Sequence, residues 1–414
     1  MSSAATHLVC RECGHTYPIS ANHVCELCFG PLEVAYDYER VAASTTREAI
    51  AVGPPSLWRY AALLPIDDVR ARIDLGAGFT PLVPAPRLAA ELGLGELYLK
   101  NDTVNPTGSF KDRVVGMALS KARELGMSVA ACASTGNLAN SVAAHAARAG
   151  MDAFVFIPAN LERVKVLATA VYGASIVAID GNYDDVNRLC AEIVSERPSW
   201  AFANVNLRPF YAEGSKTLAF EVVEQLGWRY PDHVVVPVAS GSQLTRIHRG
   251  FEELALAGLM PEPPAVRISG AQAAGCAPVA TAFESGRSVV RPVKPDTVAK
   301  SLAIGNPADG IYALEVARQT GGAIAAVSDA EILEAIALVA RTEGIFVETA
   351  GGVTVATLAA LAARGVVRRD ETVVAYLSGN GLKTVEAIEQ TVDTGVTIAP
   401  SIDEFWATLG ARAQ

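Results

Sequence analysis

From about residue 96 onward, short apolar stretches alternate with longer stretches in which apolar residues recur every three or four positions. Short apolar runs bounded by glycine or proline predict buried strands, and the longer period predicts amphipathic helices. The predicted strands are Glu96–Lys100, Ser128–Ser134, Asp152–Ile157, Ala174–Ile179, His233–Ala239, Ala265–Gly270 and Thr372–Leu377. The predicted helices are Lys111–Leu125, Leu138–Arg148, Leu161–Tyr172, Tyr183–Glu196, Leu244–Gly258, Asp329–Glu343 and Thr354–Arg364. This alternation predicts an α/β protein with parallel sheets that helices cover on both faces.

Length and charge narrow the possible partners. The chain has 414 residues, 50% of them hydrophobic, which suits two or three domains with a sizeable core. Lys and Arg total 34 against 44 Asp and Glu, so the net charge is −10, and we expect no nucleic-acid partner. The N-terminus has no secretory pattern, and the longest uncharged stretches, 125–147 and 349–363, are too polar or too short to span a bilayer. We therefore expect no membrane partner and a cytoplasmic location.

The N-terminal segment carries four of the seven cysteines in two closely spaced pairs. The pairs are Cys10 with Cys13 and Cys25 with Cys28, and eleven residues separate them. Two such pairs, each with a glycine close behind, predict a zinc ribbon in which four thiolates surround the ion. Four thiolates leave no open position on Zn²⁺, so we expect a structural metal and not a catalytic one.

One lysine stands at a position where an amine could be reactive. Lys111 follows Asn105-Pro106-Thr107-Gly108-Ser109-Phe110 and opens a predicted helix. The positive end of the helix dipole disfavours a cation there, which helps a lysine act as a nucleophile or base. The alternative is an ordinary helix start with an exposed lysine.

Three further loops of interest each begin where a predicted strand ends. Residues 134–139 offer hydroxyls and an amide, 237–244 offer small residues before a helix, and Ser378 could give a hydroxyl to a ring nitrogen. Each loop taken alone could be an ordinary turn or helix cap. Together with the lysine they supply what a pyridoxal phosphate site needs: an amine, an anion loop, an amide and a partner for the ring nitrogen.

With these motifs in their order, the chain from about residue 78 to 383 resembles the fold type II pyridoxal phosphate enzymes, and within them the threonine synthases. The motifs are Phe79-Thr80-Pro81-Leu82, Asn105–Arg113, Ser134–Ala139, Glu213-Gly214-Ser215-Lys216-Thr217, Ile304-Gly305-Asn306-Pro307 and Ser378–Lys383. The resemblance implies two open parallel-sheet domains of the tryptophan synthase β-like fold. With the ribbon, the predicted division is 1–40 zinc ribbon, 41–112 arm and first part of the large domain, 113–212 smaller domain, and 213–414 large domain.

The resemblance also implies roles for individual residues. Lys111 is then the catalytic lysine that forms the Schiff base with pyridoxal 5′-phosphate. Asn137 contacts the 3-hydroxyl of the cofactor, and Ser378 its pyridine nitrogen. Ser134 and Thr135 donate to the substrate carboxylate. The loop for the cofactor phosphate comprises Ala239, Ser240, Gly241, Ser242 and Gln243.

The implied reaction converts O-phospho-L-homoserine and water into L-threonine and phosphate, in an enzyme that we expect to be a homodimer. The chain departs from the family where the substrate phosphate binds, since Tyr211 stands where an arginine is expected and Asn206 and Arg208 are the nearest substitutes. That departure leaves open a β-replacement enzyme acting on O-phosphoserine, similar to cysteate synthase, or a threonine or serine dehydratase.

Two hypotheses from other functional classes also stay open. One is a regulatory or nucleic-acid-binding ribbon attached to an inactive scaffold, which the negative charge and the intact Lys111 loop disfavour. The other is a sensor that binds the cofactor without turnover.

Overall fold

The structure is a computed structural model, and it describes residues 3–134, 136–159, 163–181, 183–389, 391–393 and 395–412. The strands are β1 Ala5–Cys10, β2 Thr16–Tyr17, β3 Leu32–Tyr36, β4 Leu82–Pro84, β5 Glu96–Asn101, β6 Val129–Ala133, β7 Asp152–Pro158, β8 Ser175–Ile179, β9 Trp200–Phe202, β10 His233–Pro237, β11 Arg267–Ala273, β12 Ile324–Val327 and β13 Thr372–Leu377. In the described part, no helix combines the length and the apolarity that a membrane span requires.

The helices alternate with these strands over most of the chain. They are α1 Tyr38–Ser44, α2 Arg47–Ala51, α3 Pro86–Glu91, α4 Lys111–Glu124, α5 Asn137–Ala149, α6 Arg163–Ala170, α7 Tyr183–Glu196, α8 Arg208–Glu213, α9 Thr217–Gln225, α10 Ser242–Leu256, α11 Pro278–Glu284, α12 Gly310–Gln319, α13 Asp329–Glu343, α14 Thr349–Ala363 and α15 Ile402–Arg412. Local signals set some of the ends. At the start of α13, Ser328 and Glu331 form a capping box, and at its end Gly344 adopts φ +69°.

The larger sheet has six strands in the order β12-β11-β10-β13-β5-β4. Five strands are parallel, and β4 runs antiparallel to β5 at the edge. Successive residues of its central strands face opposite sides. On β10, Val234 and Val236 join one apolar core, and Val235 joins another. The sheet is therefore buried on both faces, as the sequence predicts for its parallel strands.

The smaller sheet has four parallel strands in the order β8-β7-β6-β9. On β6, Ala130 and Cys132 join the core that includes residues of α5, and Ala131 and Ala133 join a second cluster with residues of α7. A helix thus lies on each face. The mixed α/β architecture with parallel sheets confirms the predicted fold class.

The N-terminal segment forms a third sheet, antiparallel, in the order β2-β1-β3. It is anchored on the rest of the protein by buried polar contacts. Glu33 accepts a 2.7 Å bond from Arg246 of α10, and the Tyr36 hydroxyl donates to Glu213 of α8 at 2.5 Å. Arg11 lies 3.7 Å over the ring of Tyr312 on α12. This sheet is thus seated against three helices.

Candidate active site

The strand ends bring two of the predicted loops into direct contact. The Phe110 N–H donates to the Ser378 carbonyl at 2.9 Å, and the Asn380 N–H donates to the Gly108 carbonyl at 2.9 Å. Because β5 and β13 are adjacent and parallel, the chain leaves both strands at the same edge of the sheet. The predicted lysine loop and the Ser378 loop therefore form one surface.

Lys111 is the first residue of α4 and is partly exposed. Its neighbour Asp112 is buried and fixes the loop. Asp112 accepts bonds of 2.7 Å from the Thr107 N–H, the Thr107 hydroxyl and the Ser141 hydroxyl. The turn before the lysine is thus tied to both α4 and α5. Ser109 is also buried, and its hydroxyl has no hydrogen-bond partner among the described residues, which leaves it available to a bound group.

The Lys111 amine has a partner that the sequence did not reveal. The Tyr211 hydroxyl on α8 lies 3.0 Å from Nζ of Lys111. The two residues are 100 positions apart and belong to separate motifs, so only the folded chain brings them together. A phenol at this distance can exchange a hydrogen bond with the amine and hold its position.

Beneath the lysine, a buried ionic network fixes α4. Arg113 bonds to Asp102 at 2.6 Å and pairs with Glu221, and Lys100 reaches Glu221 at 2.6 Å. Burial opposes the ionisation of Glu221, but Arg113 and Lys100 outweigh it and lower the pKa of that carboxyl to about 2. Every charge in this network has an opposite charge beside it, so the network can anchor the helix.

Asn137 begins α5 and meets Glu348, a residue that was not predicted as part of the site. The Asn137 amide donates to one carboxylate oxygen of Glu348 at 2.9 Å, and the Ser378 hydroxyl lies 3.5 Å from the other. Glu348 is buried, and burial raises the pKa of its carboxyl above the usual range. The nearby Asn137, Lys383 and Lys111 oppose that rise without cancelling it. Two predicted cofactor contacts therefore converge on one carboxyl group.

The predicted carboxylate loop is described in part. Ser134 is partly buried, and its hydroxyl is 3.4 Å from the Gly136 N–H. Thr135 lies outside the described residues. Its predicted role, like that of Ser134, stays a prediction.

The turn 239–243 between β10 and α10 has the features of an anion site. Gly241 has φ +96°, and a Cβ there would lie 2.5 Å from the Asp309 carbonyl oxygen, so only glycine fits. No side chain caps α10, and the Ser242 N–H reaches only the Ser240 hydroxyl, at 3.4 Å. The side chains of this turn are partly exposed at Ala239, Ser240, Ser242 and Gln243. An uncapped helix start with a small-residue turn fits a phosphate group.

The two predicted ligands of a substrate phosphate are both engaged within the protein. The Asn206 side chain accepts from the Phe202 N–H at 2.9 Å and donates to the Trp200 carbonyl at 2.8 Å. Arg208 pairs with Asp309 at 2.8 Å, yet its side chain keeps 34% of its surface exposed. Asn206 thus braces the chain around β9. Arg208 lies close to the 239–243 turn, since the Asp309 N–H donates to the Ser240 carbonyl at 2.8 Å.

The four cysteines meet as the sequence predicts. The sulfur atoms of Cys10, Cys13, Cys25 and Cys28 all lie within 4.8 Å of one another. Cys10 and Cys28 are 3.4 Å apart, and Cys13 and Cys25 are 3.6 Å apart. A tetrahedral zinc with bonds of about 2.3 Å requires sulfur separations of about 3.8 Å, so this donor set fits the ion.

A separate apolar groove lies on the smaller sheet. Its volume is about 330 Å³, and its lining includes Phe154, Trp200 and Ile193. None of the predicted site residues lines it, and only Glu196 and Arg197 contribute charge. It lacks the polar groups that a catalytic site requires, so the strand ends remain the candidate active site.

Comparison with known proteins agrees with this geometry. Residues 73–379 match the family described as pyridoxal-phosphate dependent enzymes. A protein of Methanocaldococcus jannaschii named threonine synthase is 40% identical over 91% of this chain and 93% of its own length. A threonine synthase of Methanosarcina acetivorans is 37% identical over 99% of this chain and all of its own length.

Solved structures share the fold at lower identity. A fungal L-serine ammonia-lyase from Rhizomucor miehei superposes with a TM-score of 0.64 at 22% identity, covering 76% of this chain and 98% of its own. Threonine deaminase isoform 2 from Solanum lycopersicum superposes with a TM-score of 0.63 at 23% identity, covering 75% of this chain and 83% of its own. These two likenesses show the architecture alone.

Proposed function

This chain belongs to the pyridoxal-phosphate dependent enzymes and, within them, to the threonine synthases, and from that premise we propose that it converts O-phospho-L-homoserine and water into L-threonine and phosphate. The observation that carries the proposal is the 37–40% identity to threonine synthases over 91–99% of the chain. The juxtaposition of Lys111 with the Asn137 and Ser378 loops supports it, because those residues belong to separate motifs that meet at one edge.

Pyridoxal phosphate, when bound, withdraws electrons from an attached amino acid and so makes protons on its carbon chain removable. The chain's residues divide the remaining work. Lys111 would hold the cofactor covalently, and its amine would accept and return protons of the substrate. Tyr211 keeps that amine in position. Asn137 and Ser378 orient the ring, and the backbone N–H groups of the 239–243 turn hold the phosphate of the cofactor.

The leaving phosphate of the substrate needs a cation, and Arg208 is the proposed one. Its side chain keeps 34% of its surface exposed, and an anion could replace Asp309 as its partner. Ser134 and Thr135 are proposed to bind the carboxylate of the substrate. The oxygen and the nitrogen of the Asn206 side-chain amide are both hydrogen-bonded to the backbone. Asn206 could therefore bind phosphate only if the amide gave up one of these hydrogen bonds.

Tyr211 favours a second candidate on the same scaffold. Because it occupies the place expected for a phosphate-binding arginine, the site also suits β-replacement on O-phosphoserine, or dehydration of threonine or serine. The decisive assay measures phosphate and threonine formed from O-phospho-L-homoserine. Parallel reactions supply O-phosphoserine with sulfite, and threonine or serine alone. We expect turnover of O-phospho-L-homoserine to exceed the others; turnover of one of the other substrates alone would contradict the proposal.

We propose further that the cysteine cluster of the ribbon holds one structural zinc ion. The four-sulfur geometry supports this, and each thiolate would contribute one bond. Cys10→Ser should lower the zinc content of the purified protein and its melting temperature, with a smaller effect on turnover. Cys276→Ser, which changes an isolated buried cysteine, is the matched control. Unchanged zinc content in Cys10→Ser would contradict the four-thiolate site.

The division at residues 40, 112 and 212, the homodimer and the cytoplasmic location also remain proposals. The three separate sheets support the division, because β6 to β9 lie within 113–212 and β10 to β13 follow residue 213. Light scattering of the purified enzyme tests the dimer, and a mass of one 43.3 kDa chain would contradict it.

A further inference from the structure

Glu348 is held rigidly at the edge of the candidate site. It immediately precedes α14, and its N–H donates to the Gly379 carbonyl at 2.9 Å. The preceding Val347 pairs with Asn380 in an isolated antiparallel bridge. A side chain at Gly379 would collide with the Glu348 carboxylate, so the glycine leaves room for this acid. The backbone therefore fixes where the carboxyl group lies.

The carboxyl group is buried and forms no ion pair within the part of the chain that the structure describes. Only 2% of Glu348 is exposed, and no cationic side chain of the described residues pairs with it within 4.0 Å. Its hydrogen-bond partners are the Asn137 amide at 2.9 Å and the Ser378 hydroxyl at 3.5 Å. Burying such a group is costly, and buried acids in this state concentrate at functional sites.

The two partners of Glu348 are the side chains proposed to contact the 3-hydroxyl and the pyridine nitrogen, which lie on one edge of the cofactor ring. In pyridoxal phosphate, the ring nitrogen and the carbon that bears the phenolic oxygen are both bonded to the same ring carbon. The Asn137 amide has two N–H donors, and Glu348 takes one of them. The direction of the second N–H is then set by the carboxyl group. The Ser378 hydroxyl has a single proton, and at 3.5 Å from the carboxyl group it can still turn toward the ring nitrogen.

We propose that Glu348 is a positioning residue, which holds Asn137 in the orientation in which it meets the cofactor ring. This inference rests on the proposed contact of Asn137 with the cofactor. It does not depend on which amino acid the enzyme transforms.

The test measures cofactor binding in the absence of substrate. Glu348→Ala should weaken cofactor affinity about tenfold, the effect of losing one buried hydrogen bond. It should also shift the absorption maximum of the lysine-linked cofactor and the pH dependence of that band. Glu348→Gln keeps an acceptor for the Asn137 amide and nearly the same volume, so it should recover most of the affinity. Glu334→Gln, which changes an exposed acid on α13, should behave as the unmodified enzyme.

A double-mutant cycle distinguishes positioning from general structural damage. In an Asn137→Ala background, Glu348→Ala should lose much of its effect on affinity, because the amide that it orients is gone. Wild-type affinity and an unchanged band in Glu348→Ala would overturn the proposal, and so would an effect of equal size in both backgrounds. If Glu348→Ala does not fold, Glu348→Gln and its cycle with Asn137→Ala decide the question in the same way. Failure of the phosphohomoserine assay would leave these measurements intact, so the two proposals fail separately.

Discussion

Two buried carboxylates near the candidate site have opposite surroundings. Glu221 lies against Arg113 and Lys100, and these cations lower the pKa of its carboxyl to about 2 despite burial. Glu348 has an amide and a hydroxyl as partners, and burial raises the pKa of its carboxyl. Both side chains are almost fully enclosed. The neighbouring groups, and not the depth of burial, decide the direction in which the pKa of each carboxyl moves.

The difference separates an anchoring region from a working region. In the Glu221 network each charge is paired, and the ion pairs join α4 to β5 and α9. The residues around Glu348 keep hydrogen-bond donors that a ligand could use, such as the second N–H of Asn137 and the amine of Lys111. Incomplete pairing therefore marks the residues that can bind a ligand, and complete pairing marks those that hold the frame.

The largest expected effect comes from the working region. Lys111→Ala should reduce turnover by about 10³-fold or more, because it removes both the covalent attachment and proton transfers that alone contribute ~10²–10⁴-fold. The melting temperature without cofactor should change little, since Lys111 is partly exposed. Rate assays and calorimetry check this, with the exposed Lys300→Ala as control. A Lys111→Ala enzyme with a normal rate would refute the assignment of the lysine.

The anchoring region should show the reverse pattern. Glu221→Gln leaves Arg113 and Lys100 buried without their shared carboxylate and should lower the free energy of unfolding by about 3–5 kcal/mol. Urea unfolding measures this, with the exposed Glu262→Gln as the matched control. If Glu221→Gln unfolds like the control, the network does not anchor α4.

Tyr211 tests how far the working region extends. Tyr211→Phe removes the hydroxyl that lies 3.0 Å from Nζ of Lys111 and should lower kcat about two- to tenfold, the effect of one hydrogen bond. The absorption band of the bound cofactor should persist, because the lysine remains. Steady-state kinetics compare it with Tyr172→Phe. Equal kcat values in the two variants would show that the contact has no part in turnover.

The smallest effect concerns pH. The lowered pKa of Glu221 stabilises the fold above the usual carboxyl range, and that stability is lost as pH falls toward about 2. The raised pKa of Glu348 acts in the opposite sense, because the folded state binds its proton more tightly and loses stability as pH rises past the usual range. Unfolding of the cofactor-free protein between pH 4 and 8 should therefore depend less on pH in Glu348→Gln. An unchanged slope would show that Glu348 is already ionised at low pH.

Much of the fold was predictable from local periodicity. The bounds of α7, α13 and β13 agree with the predicted ones, since long amphipathic helices and a central apolar strand carry strong signals. The short strands β9 and β12 were missed, because three or four residues carry little pattern. The predicted start of α14 was five residues late, at Thr354 instead of Thr349.

The reason for that late start is physical. Glycines disfavour helices, yet Gly351 and Gly352 are required here, because a Cβ at either would collide with Val347 or Ile332. Tertiary packing therefore overrides local propensity. β4 likewise runs antiparallel at an edge where an all-parallel sheet was expected.

The candidate site was predictable only as far as its motifs. Lys111, Asn137, the 239–243 turn and Ser378 were predicted from loops that follow strands, and their roles stay predictions. The meeting of the four cysteines was predicted from their spacing. The contacts of Tyr211 with Lys111 and of Glu348 with Asn137 were not, because each joins residues at least 100 positions apart. Sequence patterns identify reactive groups, whereas the partners that orient those groups depend on long-range packing.

The packing of the N-terminal sheet against α8 and α10 has a consequence for the amount of active enzyme in a cell. Glu33 and Tyr36 contact Arg246 on α10 and Glu213 on α8. The turn proposed to bind the cofactor phosphate leads into α10, and α8 carries Tyr211. If the cysteine cluster holds the proposed structural zinc ion, a chain made during a shortage of zinc would lack a stable N-terminal sheet packed against these two helices. The number of competent copies would then follow the availability of an ion that takes no part in the chemistry.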